Sequence, residues 1–479
     1  MKSMPRDMGK LHFCGIGGIG MSGIAEILHN LGYTIQGSDI TENGNVERLR
    51  SLGISITAHQ TEANIVDVAV LVISSAIKSD NPELTAARKR MIPVVRRGEM
   101  LAELMRLRSS ISVAGTHGKT TTTSLISAIL DRGGLDPTVI NGGIINAYGT
   151  NARLGTGDWI VAEADESDGS FIQLPADIAL LTNIDAEHLD HWGSFDELKQ
   201  AFYSYIQNIP FYGLAVMCTD SQEVKALIPK VSDRRIITYG FNSQADVRAI
   251  NHRSEKGFSV FDVTFSDRYS ESTSSIQNLT VPMAGKHNAQ NALGAIAVAI
   301  EVGISEEDIR EGLQNFSGVK RRFTVIGTIA GITVVDDYAH HPVEIASTLR
   351  AARSNAEGRV IAVFQPHRFS RIQDLFQDFC ECFSNADTVI VSDIYAAGEV
   401  PIEGINRESL VNGLIASGHK TVISLQQASD LPAIVAEKAE SKDYVIFLGA
   451  GNITEWAHTL PRQLSVHFGT PNGCLEERN

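Results

Sequence analysis

Cysteine is scarce in this sequence. The five in 479 residues, Cys14, Cys218, Cys380, Cys382 and Cys474, are scattered, odd in number and without zinc-ligand spacing. That argues against a disulfide framework or a zinc ribbon and fits a reducing cytosol. Long apolar runs are absent too: no stretch approaches the ~18 residues of a membrane span. Lys2 and Arg6 are not followed by an apolar segment, so no signal peptide is expected and a cytoplasmic location is. A basic excess is missing as well. Lys and Arg number 41 against 56 Asp and Glu, a net charge of −15, which excludes the basic stripe of a duplex nucleic-acid binder. The acidity reads as solubility and leaves an anionic substrate open, because sites are locally charged. There is no low-complexity tract and no short-period repeat.

What is present is an ordinary globular composition, 43% hydrophobic and 20% charged, long enough for about three domains, each with its own core. The chain is organised around Ser112-Val-Ala-Gly115-Thr-His-Gly118-Lys119-Thr120-Thr121-Thr122-Thr123. A short apolar strand, 111–114, precedes it. A helical pattern over 122–131 follows, closed by Gly133-Gly134. Strand, glycine turn, helix is the setting of a phosphate loop, whose backbone N–H groups and helix N-terminus face phosphates. Lys119 would reach the outer phosphates and Thr120 would place its hydroxyl on Mg²⁺. The loop is a shortened variant: Val113 stands where the strict pattern has glycine, and Gly115 supplies the turn.

Ahead of it, Gly15-Ile-Gly17-Gly18-Ile-Gly20 lies between a strand and a helix, and a second strand, 33–37, ends at Ser38-Asp39. An acid about 20 residues on is what a dinucleotide site uses for a ribose hydroxyl. Taken alone the motif fits either a bound diphosphate or tight strand–helix packing. Residues 68–74 and 92–95 read as further strands, so 1–107 forms a small Rossmann-like domain. Arg96 and Arg97, at the end of the last strand, could pair with phosphate, though such a pair is more often solvated surface.

A central domain, 108–318, is expected to be a mostly parallel sheet of the P-loop ATPase type. Two strands run into polar clusters: Glu163-Ala-Asp165-Glu166-Ser-Asp168, and Thr182-Asn183-Ile-Asp185-Ala-Glu187-His188. Open α/β sheets bind ligands at such strand ends. Glu163, first off its strand, is the best Mg²⁺ ligand; His188 by pattern alone is a histidine ordered by neighbouring acids. Residues 246–281, with a Ser-rich turn at 270–275, read as an antiparallel edge. Asn288 and Asn291, three apart at a helix start, fit either a nucleotide base or helix capping. The third domain, 319–479, is again Rossmann-like α/β. Asp336-Asp337-Tyr338-Ala-His340-His-Pro342 and His367-Arg368-Phe-Ser-Arg371 stand at strand ends, Pro342 opens a helix, and His340, Arg368 and Arg371 form a candidate anion-binding cluster.

Together these motifs, in this order over almost the whole chain, resemble the Mur ligase family, which builds the peptide stem of bacterial cell-wall precursors. They look most like the branch that adds the first amino acid. The resemblance implies an ATP-dependent amide ligase. The lactyl carboxylate of UDP-N-acetylmuramate takes the γ-phosphoryl group of ATP, and the amine of L-alanine displaces phosphate from the acyl phosphate. It also implies roles: Gly15, Gly17, Gly18, Gly20 and Asp39 for the UDP moiety; Gly115, Thr116, His117, Gly118, Lys119, Thr120 and Thr121 for ATP; Thr120, Glu163 and His188 for magnesium; Asn288 and Asn291 by the adenine; Arg322 and Asp337 on the nucleotide; Tyr338, His340, Arg368 and Arg371 for the amino acid. No lysine suited to carbamylation stands out. A monomer or weak homodimer is expected, with no nucleic-acid or membrane partner. The rivals are a ligase attaching a ready-made tripeptide to the same UDP-sugar, an NAD-dependent dehydrogenase resting on Gly15–Gly20 and Asp39, and a nucleotide-switched regulator.

Overall fold

The computed structural model describes residues 8–255, 257–269 and 275–468. Lys2, Arg6, Cys474 and most of the Ser-rich turn at 270–275 lie outside the described residues. Three α/β sheets follow one another along the chain.

The first is five-stranded and parallel throughout, in the order β3-β2-β1-β4-β5. Its strands are β1 (Lys10–Cys14), β2 (Ile35–Ser38), β3 (Ser55–Thr57), β4 (Val68–Ile73) and β5 (Val94–Arg96). Helix α1 (Ile19–Asn30) returns from β1, and α2 (Arg97–Met105) leaves β5. Met21, Ile24, Ala25, Ile27 and Leu28 are buried, a helical spacing that turns one stripe onto the strands.

The second sheet has ten strands in the order β15-β14-β13-β12-β11-β10-β6-β9-β7-β8. Its centre is β6 (Ser109–Ala114), β9 (Trp159–Glu163), β10 (Ile178–Leu181), β11 (Leu214–Cys218) and β12 (Arg235–Gly240), parallel and almost wholly buried, as continuous apolar strands require. The edge expected over 246–281 is β13 (Val247–Glu255), β14 (Phe258–Phe265) and β15 (Ser275–Val281). Its junction with β12 is parallel. The opposite edge carries an antiparallel pair, β7 (Thr138–Ile145) with β8 (Thr150–Arg153). Helix α3 runs Lys119–Arg132 and starts three residues before the expected Thr122. Gly118, left-handed at φ 81°, turns the chain directly into the helix, and packing overrides the weak helix propensity of four successive threonines, all buried. Helix α4 covers Lys286–Val302.

The third sheet orders β16 (Thr324–Ile329), β17 (Ile332–Asp337), β21 (Tyr444–Leu448), β18 (Val360–Phe364), β19 (Thr388–Val391) and β20 (Val422–Ser424). Only β16 with β17 is antiparallel. Apolar clusters cover both faces. Helix α5 (Pro342–Asn355) has Pro342 in its first turn, and α6 (Phe369–Asp374) follows β18. The chain divides into two compact units. One comprises Met1–Asn251, Phe261–Val281 and Ala289–Ser317; the other comprises His252–Val260, Pro282–Asn288 and Gly318–Asn479.

Candidate active site

In the first unit the loop after β6 is shaped by what it lacks. Gly115 has φ 125°, and a Cβ there would collide with Thr182 Oγ1. At Gly118 a Cβ would lie 2.5 Å from Asn291 Oδ1, so only glycine permits both turns. The strand end after β10 pins the loop from beside it. Asn183 O accepts from Thr116 N–H at 3.0 Å, Asn183 Oδ1 accepts from His117 N–H at 2.8 Å, and Thr182 Oγ1 donates to His117 O at 2.6 Å. The His117 ring lies 3.2 Å from Asp185.

Lys119 curls over this loop. Its Nζ donates to Gly115 O at 2.6 Å, to Thr116 O at 2.9 Å and to Glu166 Oε1 at 2.9 Å, and lies 2.8 Å from Glu166 Oε2. Burial opposes the charge on Lys119, but Glu166, Glu163 and Asp165 outweigh it and raise the ammonium's pKa. For Glu166, itself 1% exposed, burial wins against the pull of Lys119 and pushes the carboxyl up to about 7. The pair forms a charged latch on the phosphate loop.

Glu163 is the last residue of β9, Thr120 lies in the first turn of α3 after β6, and His188 lies in the segment that follows β10; the three strands are neighbours in the sheet. Glu163 Oε2 accepts from Gly142 N–H at 2.7 Å, and a Cβ at Gly142 would fill the space against that carboxylate, 2.6 Å from Oε1. His188 has left-handed backbone, φ 54°, at the start of a single helical turn. Among the described residues no three His, Cys, Asp or Glu gather as a metal cage. A hydroxyl at a helix start and a carboxylate at a strand end nevertheless suit Mg²⁺, which takes few protein oxygens and leaves its other positions to phosphate and water.

In the first glycine loop Asp39, the candidate for a ribose hydroxyl, has Oδ2 accepting from Gly17 N–H at 2.8 Å and Oδ1 from Thr41 N–H at 2.9 Å. Its carboxylate therefore closes the turn itself. Asn45 adds a bond to Gly17 O at 3.0 Å, while Gly18 and Gly20 lead into α1. Arg97, expected to be solvated, is largely buried. Its Nη2 donates to Asp165 at 3.0 Å and to Asp168 at 3.3 Å, and its Cδ lies 3.1 Å from where a Cβ on Gly20 would stand. Asp165 is pulled down to about 2: burial opposes its charge, and Arg97 and Lys119 overcome it.

In the second unit Asp337, Tyr338 and His340 lie at the C-terminal end of β17, Arg368 and Arg371 follow β18, and Arg322 precedes β16. Asp337 is buried, accepting from Phe323 N–H at 2.7 Å and Ala339 N–H at 2.8 Å. Burial, outweighing Arg322 and those two bonds, raises it to about 6. The Tyr338 ring lies under two guanidinium groups, Arg321 at 4.8 Å and Arg322 at 5.4 Å. Its neighbour His340 (ring centroids 5.1 Å apart) faces His367 at 5.8 Å. Arg371 Nη1 donates to His367 Nδ1 and to His367 O, each at 3.2 Å, which leaves the proton of a neutral ring on Nε2. Arg368 caps α6 with φ 69°. Asn288 donates to Ala284 O at 2.8 Å.

Family models match nearly the whole chain in sequence: the Mur ligase family catalytic domain over residues 10–109, the Mur ligase middle domain over 113–299, and the Mur ligase glutamate ligase domain over 321–451. The UDP-N-acetylmuramate–L-alanine ligase of Bradyrhizobium sp. strain BTAi1 is 60% identical over 463 residues, 97% of this chain and 99% of that protein. The chain belongs to the Mur ligase family. Among solved structures, the UDP-N-acetylmuramate-alanine ligase of Thermotoga maritima aligns with a TM-score of 0.79 at 27% identity, covering 96% of this chain and 99% of that one. A murein peptide ligase of Psychrobacter arcticus aligns at 0.70 with 25% identity, over 95% and 98%.

Seen as a Mur ligase, the chain also has residues at these strand ends that sequence reasoning passed over. Glu166 and Asp165 were visible as acids after β9, but nothing local marks which of four acids turns toward Lys119. Arg97 carried only the signal of an arginine pair. Arg321 donates to Gly449 O at 2.6 Å and Gly451 O at 3.3 Å, tying residues more than a hundred positions apart. His367 stood inside the second-unit motif without an assigned part, and Tyr395 bore no signal. Cys14, Cys218, Cys380 and Cys382 are buried free thiols, as expected of bystanders.

Proposed function

We propose that this Mur ligase joins L-alanine to the lactyl carboxylate of UDP-N-acetylmuramate at the expense of ATP. What carries the reading is the 60% identity over 97% of the chain to a ligase named for that reaction, together with a phosphate loop whose lysine is held in place by Glu166.

ATP lies along the loop from Gly115 to Thr121, its phosphates on the N-terminus of α3, and Asn291 and Asn288 serve the base. Thr120, Glu163 and His188 would hold Mg²⁺. Bound magnesium would neutralise charge on the β- and γ-phosphates. Arriving phosphates draw Lys119 from the carbonyls of Gly115 and Thr116. The UDP moiety lies at Gly15–Gly20, in a turn that Asp39 keeps formed. The substrate carboxylate oxygen bonds to the γ-phosphorus as the bond to the β–γ bridging oxygen breaks and ADP departs. In the second unit, Arg368 and Arg371 clamp the carboxylate of L-alanine, beside Tyr338 and His340. The amine then bonds to the acyl carbon, inorganic phosphate leaves, and the amine gives up a proton. Positioning and charge stabilisation supply most of such catalysis. The enzyme works in the cytoplasm as a monomer or weak homodimer.

The test is product analysis. Incubation with UDP-N-acetylmuramate, ATP, Mg²⁺ and either L-alanine or a stem tripeptide, followed by mass spectrometry, should yield the alanyl adduct. A tripeptide adduct alone would move the chain to the recycling branch.

A further inference from the structure

Four rings stand in a row in the second unit: Tyr338, His340, His367 and Tyr395, with successive centroids 5.1, 5.8 and 5.5 Å apart. The first three have other duties. Tyr338 lies under Arg321 and Arg322. His340 Nδ1 lies 3.0 Å from Tyr338 O, and His367 is bonded to Arg371. Tyr395 ends the row. Its ring stacks on that of His367 with the two planes nearly parallel, 9° apart, and the residue is 42% exposed.

Tyr395 is held rigidly for a residue of a loop. Its N–H donates to Pro366 O at 2.8 Å and its carbonyl accepts from Arg368 N–H at 2.9 Å, a bridge that fixes it against the segment carrying both clamp arginines. Gly451 backs the ring so closely that a Cβ there would lie 2.8 Å from Tyr395 Cγ, and Arg321 holds the Gly451 carbonyl. Glu399, four residues on, accepts from Ser370 Oγ at 2.6 Å between the two clamp arginines.

We propose that Tyr395 is the residue that limits the size of the incoming amino acid's side chain. The proposal rests on the ligase reading above. An amino acid whose carboxylate is clamped by Arg368 and Arg371 has its α-carbon beside His367. The exposed ring at the end of the row is then the apolar surface its side chain meets. A methyl group packs on such a wall; a branched side chain collides with it. Hydrophobic pockets discriminate in this way by excluding volume.

Initial rates of phosphate release with UDP-N-acetylmuramate, ATP and Mg²⁺ are compared for glycine, L-alanine and L-valine, in the unmodified enzyme and in Tyr395→Ala, Tyr395→Leu and Tyr395→Phe. In Tyr395→Ala the ratio of kcat/KM for L-valine over L-alanine should rise by about tenfold or more. Glycine, which has no side chain to meet the wall, should change little, and the KM for ATP and for UDP-N-acetylmuramate should hold. Tyr395→Phe keeps the ring and should keep the ratio. If Tyr395→Ala does not fold, Tyr395→Leu carries the comparison with a smaller rise. An unchanged ratio in the folded variant would overturn the proposal. So would a Tyr395→Phe ratio shifted as far as that of Tyr395→Ala, since the hydroxyl would then be the determinant. A failure of the ligase reading would show separately, as no L-alanine-dependent release from the unmodified enzyme.

Discussion

The ammonium of Lys119 lies 2.8 Å from Glu166 Oε2 and 2.9 Å from Oε1, inside the phosphate loop rather than in solvent. The loop is therefore charge-balanced before any nucleotide arrives. Lys119→Ala should lower the rate of phosphate release by at least roughly a hundredfold, on the scale of losing one preorganised donor to developing charge. Glu166, with its carboxyl at about 7, should give the rate an inflection near that pH, absent from Glu166→Gln. The stability effect has a definite sign. A carboxyl whose pKa is raised on folding contributes stability at pH below about 4.5 that is lost as pH rises through about 7. Denaturant midpoints across that range should show Glu166→Gln lacking this loss.

In the second unit two groups shift in opposite directions on folding. Asp337, raised from 3.8 to about 6, contributes stability that is present below pH 3.8 and lost as pH rises through 6. His287 is lowered from 6.5 to about 4, first by burial and then by Arg350 and Arg322. It contributes stability present above 6.5 and lost as pH falls through 4. Between pH 4 and 6 the slopes oppose and the unit should be nearly indifferent to pH. Asp337→Asn should leave stability rising with pH, and His287→Gln should leave it falling, each by up to about 3 kcal/mol. Thermal unfolding at stepped pH separates the two.

Arg97 is the cation shared by Asp165 and Asp168. Removing it strands two partly buried carboxylates, so Arg97→Met should cost about 1–3 kcal/mol. Adding Asp168→Asn should recover part of that, a non-additivity that a double-mutant cycle measures. Additive losses would mean that the pair does not interact.

Gly98 is packed so tightly on Ser170 that a Cβ would overlap the serine side chain. Gly98→Ala should therefore destabilise the first unit by about 1–3 kcal/mol, and Ser170→Gly in the same chain should restore much of it. Urea midpoints of the three variants decide this.

The sequence exposed what local chemistry writes. The glycine turns at Gly15 and Gly115, the apolar parallel strands, Pro342 at a helix start and the polar strand ends all announce themselves within about ten residues. Pairings across distance did not. Arg97 meets Asp165 at a separation of 68 residues, and Lys119 meets Glu166 at 47, so an arginine pair looked solvated and one acid looked like another. Asp39 is a related case. An acid at the end of the second strand can serve a ligand or the turn beside it, and only coordinates show its oxygens on Gly17 and Thr41. The early start of α3 and the parallel junction of β12 with β13 are tertiary outcomes that propensity does not encode.

One measurement bears most directly on the central claim: phosphate release from ATP and Mg²⁺ with UDP-N-acetylmuramate, adding L-alanine, glycine, L-serine or a stem tripeptide in turn, with Lys119→Ala beside it. Release that requires both UDP-N-acetylmuramate and L-alanine, and is lost in the variant, is the predicted result. Release that proceeds without L-alanine, or that needs the tripeptide, would contradict it.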